Sequence, residues 1–140
     1  MVKKIKIFCI GKIKENYIKE GITEFLKRLK KFCDVEIVEF KDEGLNKESL
    51  KVSKLIDNNS FLLDPDGKEF DSVNFASELK KYDNLNFFIG GHDGFDNKLK
   101  QDCDLISLSK MTFTHEMARL FLIEQIYRGF MINNNRKYHR

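Results

Sequence analysis

The sequence predicts an α/β domain with a mainly parallel sheet flanked by helices. Short apolar or alternating segments, typical of strands, take turns along the chain with segments whose apolar residues recur at helical spacing. This alternation is the order of βαβ units, in which successive strands run parallel. The chain has 140 residues, one proline and no low-complexity stretch or linker, so we expect a single domain over residues 1–140.

The first half of the chain carries three predicted strands. Residues 3–10 form an apolar run that ends at Gly11, and apolar residues at helical spacing predict a helix over residues 14–32. Residues 35–40 alternate between apolar and acidic side chains, as a half-buried strand does, and residues 43–58 are polar and weakly helical. Residues 61–63 form a short third strand, and we expect the turn signal Asp64-Pro65-Asp66-Gly67 to end it.

The second half continues the same alternation. Asp71 or Ser72 can cap a helix that carries Phe75, Leu79 and Tyr82. Residues 86–89 predict a strand ending in Gly90-Gly91, residues 96–101 a short helix and residues 105–108 a fifth strand. A long helix over residues 115–132 is apolar almost all round, so it is either a subunit interface or a central core helix.

Composition excludes several classes of protein. Hydrophobic residues make up 41% and charged residues 34% of the chain, and no apolar run approaches the length of a membrane span. The N-terminus lacks a signal-peptide pattern, so we expect a cytoplasmic protein that does not associate with membranes. Cys9, Cys33 and Cys103 are odd in number and widely spaced, which favours buried thiols over disulfides or a metal site.

Two basic clusters accompany the formal net charge of +3. One lies near the end of the first helix and the other at the C-terminus: Lys27, Arg28, Lys30 and Lys31; Arg136, Lys137, His139 and Arg140. Such clusters can bind phosphate groups. For either cluster alone, a solvated helix face or a frayed tail is the simpler explanation.

Three segments are expected at one edge of the sheet, because ligands of open α/β sheets bind beyond the carboxyl ends of the strands. They are residues 63–67, 89–94 and 108–113. Glycines in the second segment let backbone approach a ligand, and the third offers the hydroxyls of Ser109 and Thr112 beside apolar Met111 and Phe113. This combination suits a flat, uncharged group such as adenine. A G-x-G-x-x-G fingerprint and a P-loop are both missing, which disfavours an ordinary dinucleotide fold and a P-loop nucleotidase.

Several of these motifs match one known family in order and spacing. They are Gly11-Lys12, Ile89-Gly90-Gly91-x-x-Gly94, Leu108-Ser109-Lys110-Met111-Thr112-Phe113-x-His115, Glu124-Gln125-Ile126-Tyr127-Arg128 and Tyr138-His139-Arg140. With these motifs the chain resembles, from its first strand to its last residue, the RlmH family of ribosomal large subunit pseudouridine N3-methyltransferases in the SPOUT superfamily. It departs from the family pattern in a shorter segment between Lys41 and Asn58, and in Thr114, where a proline is common.

The resemblance implies a fold and a function that spacing alone does not. The C-terminal segment would thread into a trefoil knot, the active unit would be a homodimer, and the substrate would be a pseudouridine in 23S rRNA of the ribosome or its large subunit. By the family pattern, S-adenosylmethionine would be held by Leu63, Gly90, Leu108, Ser109, Lys110, Met111, Thr112 and Phe113.

Catalysis by such an enzyme requires alignment of the methyl group with the base nitrogen and removal of the imide proton. The C-terminal run is the candidate for this work, with Tyr138 stacking on a base, Arg140 contacting phosphate and His139 assisting proton removal. We expect this run to reach the cofactor cleft of the partner subunit. The identity of the general base stays open among His92, His115 and His139, and His115 lies one helical turn from Arg119.

Two other functions compete with methyl transfer. In a signalling receiver domain, Asp64 would be the phospho-acceptor and Lys110 its partner, but Ile10-Gly11-Lys12 lacks the acidic pair that would hold magnesium. A non-catalytic RNA-binding module would use only the basic clusters. Binding of S-adenosylmethionine separates the three functions.

Overall fold

Five strands and five helices alternate along residues 2–140, the part of the chain that the computed structural model describes. The strands are β1 (Lys4–Ile10), β2 (Asp34–Phe40), β3 (Ser60–Glu69), β4 (Asn84–Ile89) and β5 (Asp104–Ser107). The helices are α1 (Asn16–Leu29), α2 (Leu45–Ser53), α3 (Ser72–Leu79), α4 (Asn97–Gln101) and α5 (His115–Asn133). Every strand pairing is parallel, in the order β2-β1-β4-β3-β5, which confirms the predicted α/β class.

Alternating side chains of the strands build a separate apolar core on each face of the sheet. On one face, Ile5, Ile7 and Phe87 lie in a large core with residues of α1, α3 and α5. On the other, Leu62 and Phe88 pack in a smaller core with Val52 of α2 and Leu99 of α4. A domain with helices on both faces of a parallel sheet leaves the carboxyl ends of its strands free to carry a site.

The third strand is longer than predicted, and the expectation that Asp64-Pro65-Asp66-Gly67 ends it is wrong. Leu63 and Lys68 both pair with Ile106 of β5, so the four residues between them bulge out and the strand then resumes. A Cβ atom on Gly67 would lie 2.7 Å from the backbone nitrogen of Ile106. Glycine therefore lets the strand return to its neighbour after the bulge.

The long apolar helix α5 is a core helix over most of its surface. It packs between α1 and α3 and against the sheet, and Leu122, Ile123, Ile126 and Phe130 are fully buried. Phe121 is 39% exposed, so residues 2–140 do not cover the whole helix. None of the helices within residues 2–140 has the length and apolar character needed to cross a membrane.

Candidate functional site at the carboxyl edge of the sheet

A cavity of about 380 Å³ lies where β3, β4 and β5 end. All three segments singled out in the sequence line it, with Leu63 to Asp66 from the first, Ile89 and Gly91 to Gly94 from the second, and Leu108, Ser109 and Met111 to Phe113 from the third. Lys100 and Ala118 complete the wall. Six of the eight residues predicted to hold a cofactor therefore surround one space.

The other two predicted residues, Gly90 and Lys110, do not line this cavity. Gly90 is buried, and a Cβ atom there would lie 2.8 Å from the backbone of Gly94. Its role in this structure is to let the glycine loop fold tightly. Lys110 points outward, with its Nζ 3.8 Å from Glu69 and its side chain 84% exposed.

The glycine loop after β4 turns sharply between Gly91 and Gly94. The amide of Gly94 donates to the carbonyl of Gly91 at 3.1 Å, and Gly94 has a φ of 69°, a conformation that side chains disfavour. The loop rests on α2, because the amide of Asp96 donates to the hydroxyl of Ser49 at 3.0 Å. The shortened segment between Lys41 and Asn58 thus still supports the site.

The loop after β5 is shaped by two serines. The hydroxyl of Ser107 donates to the carbonyl of Ser109 at 2.9 Å, and the hydroxyl of Ser109 accepts from the amide of Met111 at 3.0 Å. Met111 is left 76% exposed and Phe113 36% exposed, both at the rim of the cavity. The loop therefore offers apolar surface that the described residues leave uncovered.

One buried carboxylate stands in the wall of the cavity, and it is neutralised. Asp64 Oδ2 lies 2.8 Å from Lys100 Nζ, and its Oδ1 accepts from the amide of Asp66 at 2.9 Å. A receiver domain would pair Asp64 with Lys110, which instead lies near Glu69. The structure thus gives the cavity little net charge from this pair and gives no support to the receiver interpretation.

A second cavity of about 550 Å³ adjoins the first, and the two share Leu108 and Phe113 in their walls. It lies between α3 and α5, where Ser72 donates to Gln125 at 2.7 Å. His139 from the C-terminal tail also lines it. In this chain the tail therefore reaches the neighbouring cavity and not the first.

The tail is held against α5 by its aromatic and basic residues. The hydroxyl of Tyr138 donates to Glu124 Oε1 at 3.0 Å, and its ring meets Tyr127 edge to face with centroids 4.8 Å apart. Burial, followed by this hydrogen bond, raises the pKa of Tyr138. Arg128 lies over the Tyr138 ring and 3.1 Å from Nδ1 of His139. The tail is thus held in a defined place on α5.

The three histidines lie in different surroundings. His92 is exposed at the rim of the first cavity, and His139 contacts Arg128. His115 has a buried Nδ1 with no hydrogen-bond partner among residues 2–140, near Gly11. Its helical neighbour Arg119 is 2% exposed and binds Glu39 at 2.6 Å, so this arginine connects α5 to β2.

Two residues that organise the surroundings of the cavities, Lys100 and Glu124, have no assigned role in the sequence analysis. Lys100 forms an ion pair with Asp64, which is distant from it in the sequence, and no local sequence pattern predicts such a pair. Glu124 accepts hydrogen bonds from both Tyr138 and Arg128, so it holds the tail against α5. Its spacing of four residues from Arg128 was the available signal, since such pairs meet on a helix.

Comparison with known proteins gives the family. The model of a family described as "Predicted SPOUT methyltransferase" matches residues 3–139. The chain is 41% identical to the ribosomal RNA large subunit methyltransferase H of Fusobacterium nucleatum subsp. nucleatum, over 97% of this chain and 99% of that protein. It is 37% identical to proteins of the same name from Streptococcus pyogenes serotypes M5 and M18, over 98% of this chain and 99% of each. The chain therefore belongs to the SPOUT methyltransferase family, and it is a methyltransferase.

Proposed function

We propose that this enzyme transfers the methyl group of S-adenosylmethionine to N3 of a pseudouridine in 23S rRNA, within the cytoplasm. The observation that carries the proposal is the cavity at the carboxyl ends of β3, β4 and β5, in a chain whose relatives are named for methylation of large-subunit ribosomal RNA. The family also implies a trefoil knot at the C-terminal end, which belongs to the same proposal.

The residues around the cavity fit the proposed cofactor. The pocket has both apolar and polar walls, with Leu63, Leu108 and Phe113 suited to the faces of adenine. A Cβ atom on Gly94 would meet no other atom within 4 Å, so this backbone borders open space that a ligand can fill. S-adenosylmethionine supplies the methyl group already activated on a sulfonium. The protein needs only to hold the cofactor, orient the base and exclude water.

Replacement of Thr112 tests the cofactor site. Thr112 is exposed and lines the cavity, so Thr112→Trp should fill it without disturbing the core. Lys110→Trp on the same loop is the matched control, because Lys110 lies outside the cavity. Calorimetry should show at least a tenfold loss of S-adenosylmethionine affinity for the first variant only. Equal affinity in both variants would remove this cavity as the site.

We propose that the tail assists removal of the proton on N3 and positions the target base. Within one subunit, His139 lines the adjoining cavity, and that cavity shares Leu108 and Phe113 with the cofactor cavity. A homodimer in which each tail approaches the partner's cofactor cavity would bring Tyr138, His139 and Arg140 to the substrate. The exposed rings of Phe113 and Phe121, 4.9 Å apart, offer apolar surface for such an interface.

Truncation separates this role of the tail from a structural one. Deletion of residues 138–140 removes the contacts of Tyr138 with Glu124, Tyr127 and Arg128 and the contact of His139 with Arg128, all of them with side chains of α5. We expect a folded protein that binds S-adenosylmethionine but transfers no methyl group to purified ribosomes that lack the modification. Full transfer by the truncated enzyme would exclude a role for the tail in the reaction.

The proposed dimer has its own measurement. Leu120 packs against Gly21 of α1, so a charge there would damage the fold of one subunit. Phe121→Glu is the better variant, and Tyr17→Glu on exposed α1 surface is its control. Sedimentation should find a dimer for the native protein and the control, and a larger monomer fraction for Phe121→Glu. A native monomer at micromolar concentration would contradict the homodimer.

A further inference from the structure

We propose that the end of α1 and the start of the C-terminal tail together form a binding surface for the phosphate backbone of RNA, separate from both cavities. The identity of that RNA as the methylation substrate rests on the proposed function. We call this the basic surface, and its members are Lys27, Lys30, Lys31, Arg136 and Lys137.

Folding brings the two basic clusters, which lie far apart in the sequence, to one aromatic ring. Lys31 Nζ lies 5.4 Å from the centroid of Phe32, and the guanidinium carbon of Arg136 lies 5.4 Å from the same centroid. The Phe32 ring itself stacks on Phe130 of α5 with centroids 5.7 Å apart. A cation from each cluster is thus seated on one ring that is anchored in the core.

The tail that supplies two of these residues is fixed in place. Asn135 has a φ of 54°, which turns the chain back at the end of α5, and the amide of Arg136 donates to the carbonyl of Met131 at 2.9 Å. Tyr138 then binds Glu124 and packs on Tyr127. The cations of the tail therefore start from an ordered backbone, which lowers the entropy lost when they bind a partner.

The basic surface keeps its positive charge. All five members are exposed, and none of them forms an ion pair within residues 2–140. Two glutamates on the helices that carry this surface already have arginine partners, Glu24 with Arg28 on α1 and Glu124 with Arg128 on α5. This end of the molecule therefore carries unneutralised positive charge on a fixed scaffold, which complements a polyanion.

RNA is the partner that this chemistry and this family favour. Phosphate contacts by lysine and arginine orient a protein on nucleic acid without reading sequence. Such contacts would bind a large RNA beside the enzyme while the tail and the cavities act on one nucleotide. Each phosphate that a cation neutralises also releases counterions, so the contacts can be counted from the salt dependence of binding.

The test compares two triple variants of the full-length protein. One is Lys27→Gln, Lys31→Gln and Arg136→Gln on the basic surface. The matched control is Lys19→Gln, Lys47→Gln and Lys54→Gln, which removes the same charge from exposed lysines near the start of α1, on α2 and at its C-cap, none of which forms an ion pair with the residues that the structure describes. The measurement is the affinity for a fluorescent RNA hairpin over a series of salt concentrations, without cofactor. Affinity falls as salt rises, so the slope of log affinity against log salt is negative. We expect the magnitude of this slope to decrease by about 2 to 3 for the first variant and to change little for the control.

The outcomes separate this inference from the proposed function. S-adenosylmethionine affinity should match the native value in both variants. In methyl transfer to ribosomes, the basic-surface variant should show a raised KM for ribosomes before any loss of kcat. A native slope in that variant, or an equal fall in the control, would overturn the basic surface even if methyl transfer were intact. Loss of binding to anionic lipid vesicles with unchanged RNA binding would overturn it in favour of a membrane partner. Tight, surface-dependent RNA binding by a native protein that methylates no rRNA would instead overturn the proposed function alone.

Discussion

The ion pair between Arg119 and Glu39 should respond unequally to the loss of each partner. Arg119 is 2% exposed, whereas Glu39 is 37% exposed at the edge strand β2. The arginine donates to Glu39 at 2.6 Å and to the carbonyl of Gly11 at 3.0 Å. Its Nε has no partner among residues 2–140. Removal of the glutamate leaves a charge in the core, whereas removal of the arginine leaves a carboxylate that can turn to water.

These surroundings set the magnitudes. A buried charge without its partner costs about 3–5 kcal/mol, and we take about 3 kcal/mol for Glu39→Gln because the carbonyl of Gly11 still accepts from Arg119. For Arg119→Met the apolar stem is largely retained, and the lost hydrogen bonds amount to about 1–2 kcal/mol. At about 4 °C per kcal/mol, Glu39→Gln should lower Tm by about 12 °C and Arg119→Met by about 4–8 °C.

Urea unfolding followed by circular dichroism measures both free energies, at matched protein concentration because any association adds stability. The double variant should be more stable than Glu39→Gln alone, since it removes the stranded charge. If Arg119→Met proved the more destabilising single variant, or if the double variant were the least stable of the three, the explanation from unequal burial would be wrong.

Two further predictions concern burial and capping. Burial raises the pKa of the Cys9 thiol from 9.0 to about 12, so the native state favours the protonated thiol. The stability that this thiol contributes should be complete below pH 9 and be lost as the pH rises towards 12. Urea unfolding across this range should show a fall in the free energy of unfolding that is smaller in Cys9→Ala, and an identical fall in both proteins would contradict the prediction. Asp71 caps α3 by accepting a hydrogen bond from the amide of Asn74 at 2.7 Å. Asp71→Ala should lower the free energy of unfolding by about 1 kcal/mol, and Asp71→Asn, which keeps an acceptor, should lower it clearly less. Equal losses of this free energy in denaturant unfolding would show that the cap contributes nothing.

Much of the fold was predictable because the signals are local. The alternation of strand and helix patterns led to a parallel sheet, and cap residues such as Asp71 marked where helices begin. The position of the candidate site followed from the same pattern. Once strands are parallel, segments that follow β3, β4 and β5 must meet at one edge, so Leu63, Leu108 and Phe113 were expected around one space.

Other features depend on neighbours that local patterns do not reveal. The strand β3 continues past Pro65 because β5 offers Ile106 to both sides of the bulge. The role of Gly90 is packing against Gly94, which is visible only when the loop has folded. The apolar residues all round α5 are equally typical of a subunit interface and of a core helix. In the folded chain α5 is mainly a core helix, because α1 and α3 cover most of it.

The contrast is sharpest at the two basic clusters. The sequence alone determined that Lys27 to Lys31 and Arg136 to Arg140 are rich in cations, and a solvated helix and a frayed tail explained each of them. Only the tertiary structure decided that Lys31 and Arg136 share the ring of Phe32, that Glu124 holds the tail, and that Glu24 and Glu124 have arginine partners. The physical reason is range, because capping and periodicity act over a few residues, whereas packing and charge join groups from opposite ends of the chain.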